Sequence, residues 1–239
     1  FYDENYKNFH IYYNDSEYDL GDGLVDVPIT NYKLGNNIFA FTDTYQMTFT
    51  VFYRNEFIDL SRVIRSVNFE VGADIVAYVD DETNTFKAFY KGDIYDLETL
   101  PPKNYQTGMG MVAYVNQNDE FFVFTQGEKI RILNFSPKYY EVKDSLVMFN
   151  QEDFLNIFYG EETMQVERFI PNSFDWGWGT FAYLDENLRI KAYMQGKKHF
   201  VINETLREVV VYRNIIVIRF GNNRWAVHYK NQNYHQLDE

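Results

Sequence analysis

Hydrophobic residues along the chain occur in short runs, each about the length of a β-strand. Some runs are apolar at successive positions, as in residues 76–79, and none of them, residues 215–218 included, is longer than a strand. A strand that is apolar at consecutive positions is buried on both faces. Gly, Asn and Asp, which favour turns, separate many of these runs. The pattern therefore predicts an all-β protein of short strands.

The runs belong to an internal repeat. Residues 86–97 align without a gap to residues 49–60 and to residues 9–20, and further copies follow along the chain. The seven copies begin at Phe9, Phe49, Phe86, Phe121, Phe154, Ile190 and Trp225, with successive starts 40, 37, 35, 33, 36 and 35 residues apart. The repeat units predicted from this alignment are residues 1–37, 38–74, 75–110, 111–145, 146–179, 180–214 and 215–239.

Each unit is predicted to contain four strands, A to D. In one copy, A covers residues 75–79, B 85–90, C 93–97 and D 104–107. Residues that tolerate a positive φ occupy the B/C turn, which predicts a tight hairpin in every copy; they are Gly92, Gly127, Gly160, Gly196, Asp15, Asn55 and Asn231. All five prolines lie between C and D: Pro28, Pro101, Pro102, Pro137 and Pro171. Since proline collects beside edge strands, D is expected to be the outermost strand.

Short four-stranded units whose strand A is buried on both faces predict a β-propeller, in which each unit is a blade. Strand A is expected to be the innermost, because small residues at its middle suit a crowded position; they are Ala40, Ala77, Ala113 and Ala182. Seven A/B/C sets with six D strands predict a single domain of seven blades, the last lacking its outer strand. Six blades plus an extra hairpin is the alternative.

The repeats resemble those of a group of exported bacterial propellers, some of them associated with the cell envelope. The resemblance rests on segments such as residues 75–80 (IVAYVD) and 86–98 (FKAFYKGDIYDLE). WD40 repeats differ, because they carry Gly-His and Trp-Asp signatures that this chain lacks. The resemblance implies a propeller fold and an envelope setting, and it carries no catalytic residue.

Charge and composition limit the classes of partner and of chemistry that the chain can have. The formal net charge is −13, which argues against nucleic acid as a partner, and no apolar stretch is long enough for membrane insertion. The absence of cysteine excludes thiol catalysis and disulfides. The chain begins at Phe1 with no leader before it, which suggests a processed or trimmed chain. We therefore expect an exported, periplasmic or cell-surface location.

Two groups of residues are candidates for binding. Polar residues end strand A, and a propeller would place them as a ring on one rim: Asp43, Asp80, Asn116 and Asp185, with Asp3 and Asn150 in other copies. Asx-turns explain them locally, and the carboxylates would also form an acidic rim for a basic partner. The second group is Trp176 and Trp178, in a segment that departs from the repeat and predicts an aromatic platform or inter-blade packing.

No catalytic, cofactor or metal site is predicted. His228 and His235 share a hairpin but lack a carboxylate cluster, and no nucleophile elbow or zinc-protease motif occurs. The leading hypothesis is a non-enzymatic platform for another protein, as a subunit of an exported or outer-membrane-associated bacterial assembly. A carbohydrate-binding or small-ligand propeller is the alternative, and a propeller glycosidase is a weaker one.

Overall fold

The structure, a computed structural model, describes residues 2–3, 8–20, 29–63, 65–187, 189–194, 196–202, 206–221, 224–229 and 232–235. It divides into two compact units, Phe1–Pro101 and Pro102–Glu239. Each unit consists of antiparallel sheets that follow one another along the chain, and the described residues form seven sheets in all. The all-β class predicted from the hydrophobic pattern is confirmed.

The first unit contains three sheets. Their strands are β1 (Tyr2–Asp3), β2 (Asn8–Tyr13) and β3 (Ser16–Asp19); β4 (Ile29–Leu34), β5 (Ile38–Asp43), β6 (Thr48–Tyr53) and β7 (Glu56–Arg62); and β8 (Phe69–Val71), β9 (Ile75–Val79), β10 (Phe86–Tyr90) and β11 (Asp93–Glu98).

The second unit contains four sheets of four strands each. The first two consist of β12 (Asn104–Thr107), β13 (Met111–Val115), β14 (Phe121–Thr125) and β15 (Glu128–Leu133), then β16 (Tyr140–Lys143), β17 (Leu146–Gln151), β18 (Phe154–Tyr159) and β19 (Glu162–Glu167). The last two consist of β20 (Phe174–Gly177), β21 (Thr180–Leu184), β22 (Ile190–Met194) and β23 (Lys197–Ile202), then β24 (Leu206–Tyr212), β25 (Ile215–Phe220), β26 (Trp225–Tyr229) and β27 (Gln232–His235).

The hydrophobic core lies between consecutive sheets. In the first unit, the Phe49 ring packs 4.7 Å from that of Phe69 and 5.3 Å from that of Tyr78, which belong to the next sheet. In the second unit, Phe121 makes the equivalent contacts with Tyr140 and Phe149, at 4.9 and 5.5 Å. Within each unit, neighbouring sheets therefore pack face to face, which is why strands such as β5 and β17 are buried at consecutive positions.

The prediction for strand D is wrong. The strand that follows the prolines pairs with the next strand A: β12 pairs with β13, with Asn104 opposite Val115, and β16 likewise pairs with β17. It is therefore the first strand of the next sheet, and a proline such as Pro137 lies in the connection between two sheets. Proline cannot donate a backbone hydrogen bond to a neighbouring strand, so it indicates the edge of a sheet. It does not indicate to which sheet the next strand belongs.

This one-strand shift corrects two more expectations. Strand A is second in its sheet rather than innermost, and Ala77 at the middle of β9 is fully buried. The last sheet, β24–β27, has four strands, so the prediction that the last unit lacks a strand is wrong; among the described strands, the three-stranded sheet is β1–β3.

The predicted B/C hairpins are confirmed where the structure describes them. Lys91 and Gly92 both have positive φ, 54° and 109°, as a two-residue type I′ turn requires. In the turn at Gly160, the glycine takes the first central position, with φ 59°, and Glu161 the second, with φ 87°. Asn231 lies outside the described residues.

Candidate binding site

The first strands of consecutive sheets are joined by polar side chains. Gln106 on β12 donates to the carbonyl oxygen of Tyr140 at 3.3 Å and accepts from the backbone N–H of Val142 at 2.9 Å, both on β16. Asp175 on β20 likewise accepts from the N–H of Val211 on β24 at 2.7 Å. A side chain from one sheet thus satisfies backbone groups on the open edge of the next, which would otherwise remain unpaired.

These bridges come from one repeated position, opposite the middle of the second strand. The residues there are Lys33, Glu70, Gln106, Glu141, Asp175 and Val210. Lys33 follows the same rule as Gln106, donating to the carbonyl oxygen of Phe69 at 2.7 Å. Val210 is the one apolar residue of the set and is 39% exposed. Bridges from this position to the next sheet are formed by Lys33, Gln106 and Asp175.

Two residues further along, the first strands come close together. The residues at this second position are Gly35, Gly72, Gly108, Lys143, Gly177 and Tyr212. A Cβ at Gly108 would overlap the carbonyl oxygen of Asp144, and one at Gly177 would come within 2.7 Å of the Asp144 carboxylate. Glycine is needed at Gly35 and Gly108 because the backbone of the neighbouring sheet leaves no room for a side chain there. Tyr212, by contrast, is 62% exposed.

The turn after each of these first strands contains a residue in the left-handed region. In four turns it is a residue that tolerates this conformation well: Asn37, Asp74, Gly110 and Asp144. In the last two sheets it is Trp178, with φ 51°, and Arg213, with φ 56°. For a bulky side chain, this backbone conformation costs on the order of 1 kcal/mol or more, and such residues cluster at functional sites.

Trp178, Tyr212 and Arg213 form one surface cluster, the Trp178–Arg213 cluster. The Arg213 Cζ atom lies 5.1 Å from the Trp178 ring centroid and 5.7 Å from that of Tyr212. Trp178 remains 42% exposed, so its strained backbone is not offset by burial. The backbone N–H of Trp178 donates to the Asp144 carboxylate at 3.2 Å, so a side chain of the neighbouring sheet holds this turn in place.

The two tryptophans of the predicted platform lie in different environments. Trp176 is 4% exposed and packs in a core cluster with residues such as Leu146 and Phe181. The packing interpretation therefore holds for Trp176, and only Trp178 presents a ring to solvent. Tyr212 and Arg213 are not among the residues predicted from the sequence, although Tyr212, like Lys143, interrupts the spacing of Gly35, Gly72, Gly108 and Gly177.

The predicted rim residues form Asx-turns. One side-chain oxygen accepts from the backbone N–H two residues on, at distances of 2.8 Å for Asp43, 3.0 Å for Asp80, 3.0 Å for Asn116 and 2.8 Å for Asp185. Asn150 differs, because its side-chain oxygen accepts from the N–H of Tyr139 at 2.6 Å. The side chain of Asp3 lies outside the described part. The local turn explanation is therefore confirmed for four of the six.

Two of the rim carboxylates are buried and paired. Asp80 contacts Lys87 at 2.7 Å, and Asp185 contacts Arg189 at 2.8 Å and Lys191 at 3.3 Å. Burial raises the pKa of Asp185, but hydrogen bonds from Arg189, Asn187 and Lys191 outweigh it and lower that pKa to about 2. These two carboxylates are thus neutralised by their neighbours, while Asp43 is the more exposed one. Docking of a basic partner at the rim stays a prediction.

Among the described residues, no group of three His, Asp or Glu side chains is arranged to hold a metal ion. No helix in that part of the chain has the length and apolar character to span a membrane.

Comparison with known proteins places the chain in a family. The family model described as a 10-bladed beta propeller domain matches residues 1–234. No curated protein matches the sequence.

Three solved structures illustrate the structural likeness. Hsv2 of Kluyveromyces lactis is 11% identical, with 98% of this chain and 92% of that chain covered and a TM-score of 0.42. Human WBSCR16 is 7% identical, with 90% and 79% covered and a TM-score of 0.42. Prp20p of Saccharomyces cerevisiae is 7% identical, with 83% and 71% covered and a TM-score of 0.41. None of these likenesses transfers a ligand or a partner to this chain.

Proposed function

Since the chain belongs to the 10-bladed beta propeller domain family, we propose that it is a non-enzymatic binding module that docks another protein through the Trp178–Arg213 cluster. The observation that supports this is that an exposed side chain lies on a strained backbone: the Trp178 side chain is 42% exposed, and its φ is 51°. Aromatic residues and arginine are also the residue types that contribute most to protein interfaces.

The repeat itself favours this location. Equivalent turns in other sheets contain residues suited to their backbone, such as Asp74 and Asp144, and so need no functional explanation. Trp178 and Arg213 replace them in two consecutive sheets and contact each other. A departure from the repeat that costs stability and gains no burial is best explained by a role in binding.

Affinity capture with matched variants tests the proposal. The full chain, Trp178→Asn and Tyr45→Ser are used in turn as bait in extract of the source cell, and captured proteins are quantified. Tyr45 is the control because it is 77% exposed in the other unit. We expect a protein retained by the wild type and by Tyr45→Ser but lost with Trp178→Asn. Equal capture by all three would reject the cluster as the docking surface.

A carbohydrate is the second candidate ligand, because the rings of Trp178 and Tyr212 are exposed and both contact Arg213. Aromatic faces of this kind can stack on sugar rings. A glycan array separates the two: wild-type binding that is lost with Trp178→Asn would favour the sugar, and an array without signal would leave the protein partner.

The proposal also includes the cellular location of the protein and its number of blades. The repeats resemble those of exported bacterial propellers, which supports an exported or outer-membrane-associated bacterial assembly; fractionation of the source cell tests it. The described residues form seven sheets, whereas the family description specifies ten blades. A seven-bladed ring stays a prediction, and an electron-microscopy view down the ring axis would count the blades.

A further inference from the structure

We propose that a buried water molecule links the Ser61 and Tyr78 side chains and so joins two neighbouring sheets of the first unit. Both hydroxyl oxygens are buried and have no hydrogen-bond partner in the described part of the chain. A buried hydroxyl without a partner is costly, because it loses the hydrogen bonds that it makes in water. Equivalent positions in other sheets indicate which kind of partner these two hydroxyls need.

The same two positions face each other between two sheets of the second unit. Glu167 and Ser61 both lie beside the register shift between the last two strands of their sheets. Tyr183 and Tyr78 both lie opposite a lysine, on the second strand of the sheet that follows. The Tyr183 hydroxyl donates to the Glu167 carboxylate at 2.7 Å. A buried tyrosine at this position thus finds its hydrogen-bond partner on the preceding sheet.

Another pair in the second unit shows the apolar form of this contact. Leu133 and Phe149 occupy the two positions there, and both are buried in one core cluster. Neither side chain has a polar group, so neither needs a hydrogen bond. The two residue types therefore match in both pairs of the second unit, whereas Ser61 and Tyr78 form no hydrogen bond with each other.

The length of the side chain explains the difference. A glutamate carboxylate oxygen lies two carbon atoms, or about 2.5 Å, further from the backbone than a serine oxygen. Added to the 2.7 Å of the Tyr183 contact, this places the oxygens of Ser61 and Tyr78 about 5 Å apart. One water molecule with two hydrogen bonds of about 2.8 Å spans that distance.

Lys87 supplies a third polar group at the site. The equivalent lysine in the second unit, Lys191, contacts the Glu167 carboxylate at 2.9 Å. Lys87 is 2.7 Å from Asp80, and its ammonium group has two further N–H donors. A water molecule in the place of the Glu167 carboxylate therefore has two hydroxyls and one ammonium as partners, which is the usual number for buried water.

The local charge favours water over an anion. In the second unit, two lysines neutralise the Glu167 carboxylate, at 2.9 and 3.7 Å. In the first unit, Lys87 already faces two carboxylates, Asp80 at 2.7 Å and Asp96 at 3.9 Å. An anion would find no second cation there, and a buried charge without a partner is costly. Burial and the two carboxylates raise the pKa of Tyr78, so its hydroxyl keeps the proton that it donates.

A crystal structure of the full chain, at a resolution that shows ordered water, tests the proposal. We expect density for one water within about 3.2 Å of the oxygens of both Ser61 and Tyr78. Tyr183 is the control in the same crystal, because its hydroxyl should contact Glu167 directly. Lack of density between Ser61 and Tyr78 would overturn the proposal. An anomalous peak there in a crystal soaked in sodium bromide would also overturn it, since the ligand would be an anion.

A double variant tests whether the two hydroxyls hold the water. Ser61→Leu combined with Tyr78→Phe copies the pair of Leu133 and Phe149, so the density should be lost. Density that persists in the double variant would show that other groups hold the water, and the proposal would fall. If the double variant does not fold, the wild-type crystal with and without bromide decides the question by itself.

Discussion

The side-chain oxygen of Gln106 accepts a hydrogen bond from the backbone N–H of Val142, 2.9 Å away on the first strand of the next sheet. The amide nitrogen of the same side chain reaches the Tyr140 carbonyl, so one residue pairs two backbone groups of an open strand edge. An open edge is a risk for aggregation, and here the preceding sheet covers it.

Replacing Gln106 by Leu should destabilise the protein by about 1–3 kcal/mol, because two backbone groups lose their partner. Urea unfolding measures the loss. Gln46→Leu is the control, since Gln46 is exposed and its side chain makes no hydrogen bond within the described part of the chain, where its backbone N–H donates to Asp43. If both variants unfold at the same urea concentration, the Gln106 bridge contributes no stability.

Two glycines should respond differently to asparagine. Gly92 has φ 109°, and no atom lies within 4 Å of the point that a Cβ would occupy there. Gly92→Asn should therefore be nearly neutral, whereas Gly92→Val should cost at least about 1 kcal/mol. At Gly108 the obstacle is the Asp144 carbonyl, which any side chain would meet. Gly108→Asn and Gly108→Ala should therefore both lower the melting temperature. Tolerance of Asn at Gly108 would show that the strands are not in close contact there.

Substitutions at Trp176 and Trp178 should show that the first ring stabilises the fold and that the second does not. Trp176→Ala removes a buried ring and should cost about 3–5 kcal/mol. Trp178→Asn removes an exposed ring from a left-handed position that asparagine tolerates better, so its free energy of unfolding should change by less than about 1 kcal/mol. Chemical unfolding of the two variants checks this. A large loss in Trp178→Asn would mean that the ring supports the fold.

Asp185 should make stability depend on pH. Its pKa in the folded chain, about 2, is below the ordinary value of 3.8, so its contribution is present above pH 4 and is lost as pH falls through 2. The shift corresponds to about 2 kcal/mol. Asp185→Asn keeps the turn acceptor but removes the charge, so it should lower stability at pH 7 and reduce the difference in stability between pH 5 and pH 2. An unchanged pH profile would contradict the assignment.

The sequence predicted the strands more fully than the sheets. Residues 75–79 and 104–107 were assigned as strands with the bounds that the structure has, because burial on both faces and turn residues are local signals. The pairing of β12 with β13 depends on how the chain crosses between sheets, which composition does not record. The departure from the repeat predicts Trp178 as a candidate, whereas Arg213 occupies an ordinary turn position in the sequence and is distinguished only by its contact with Trp178 in the structure.

The Gln106 side chain connects its own sheet to the sheet that follows it in the chain. Each bridge of this kind involves only two adjacent sheets, so it does not depend on the total number of sheets. Copies could therefore be gained or lost by duplication and deletion of one repeat without redesigning the contacts of the rest. The number of sheets in a ring would be limited by the angle between neighbouring sheets. The close approach of backbones at Gly35 and Gly108 contributes to that angle. Substitutions at these glycines are thus a means by which a lineage could change the number of its blades.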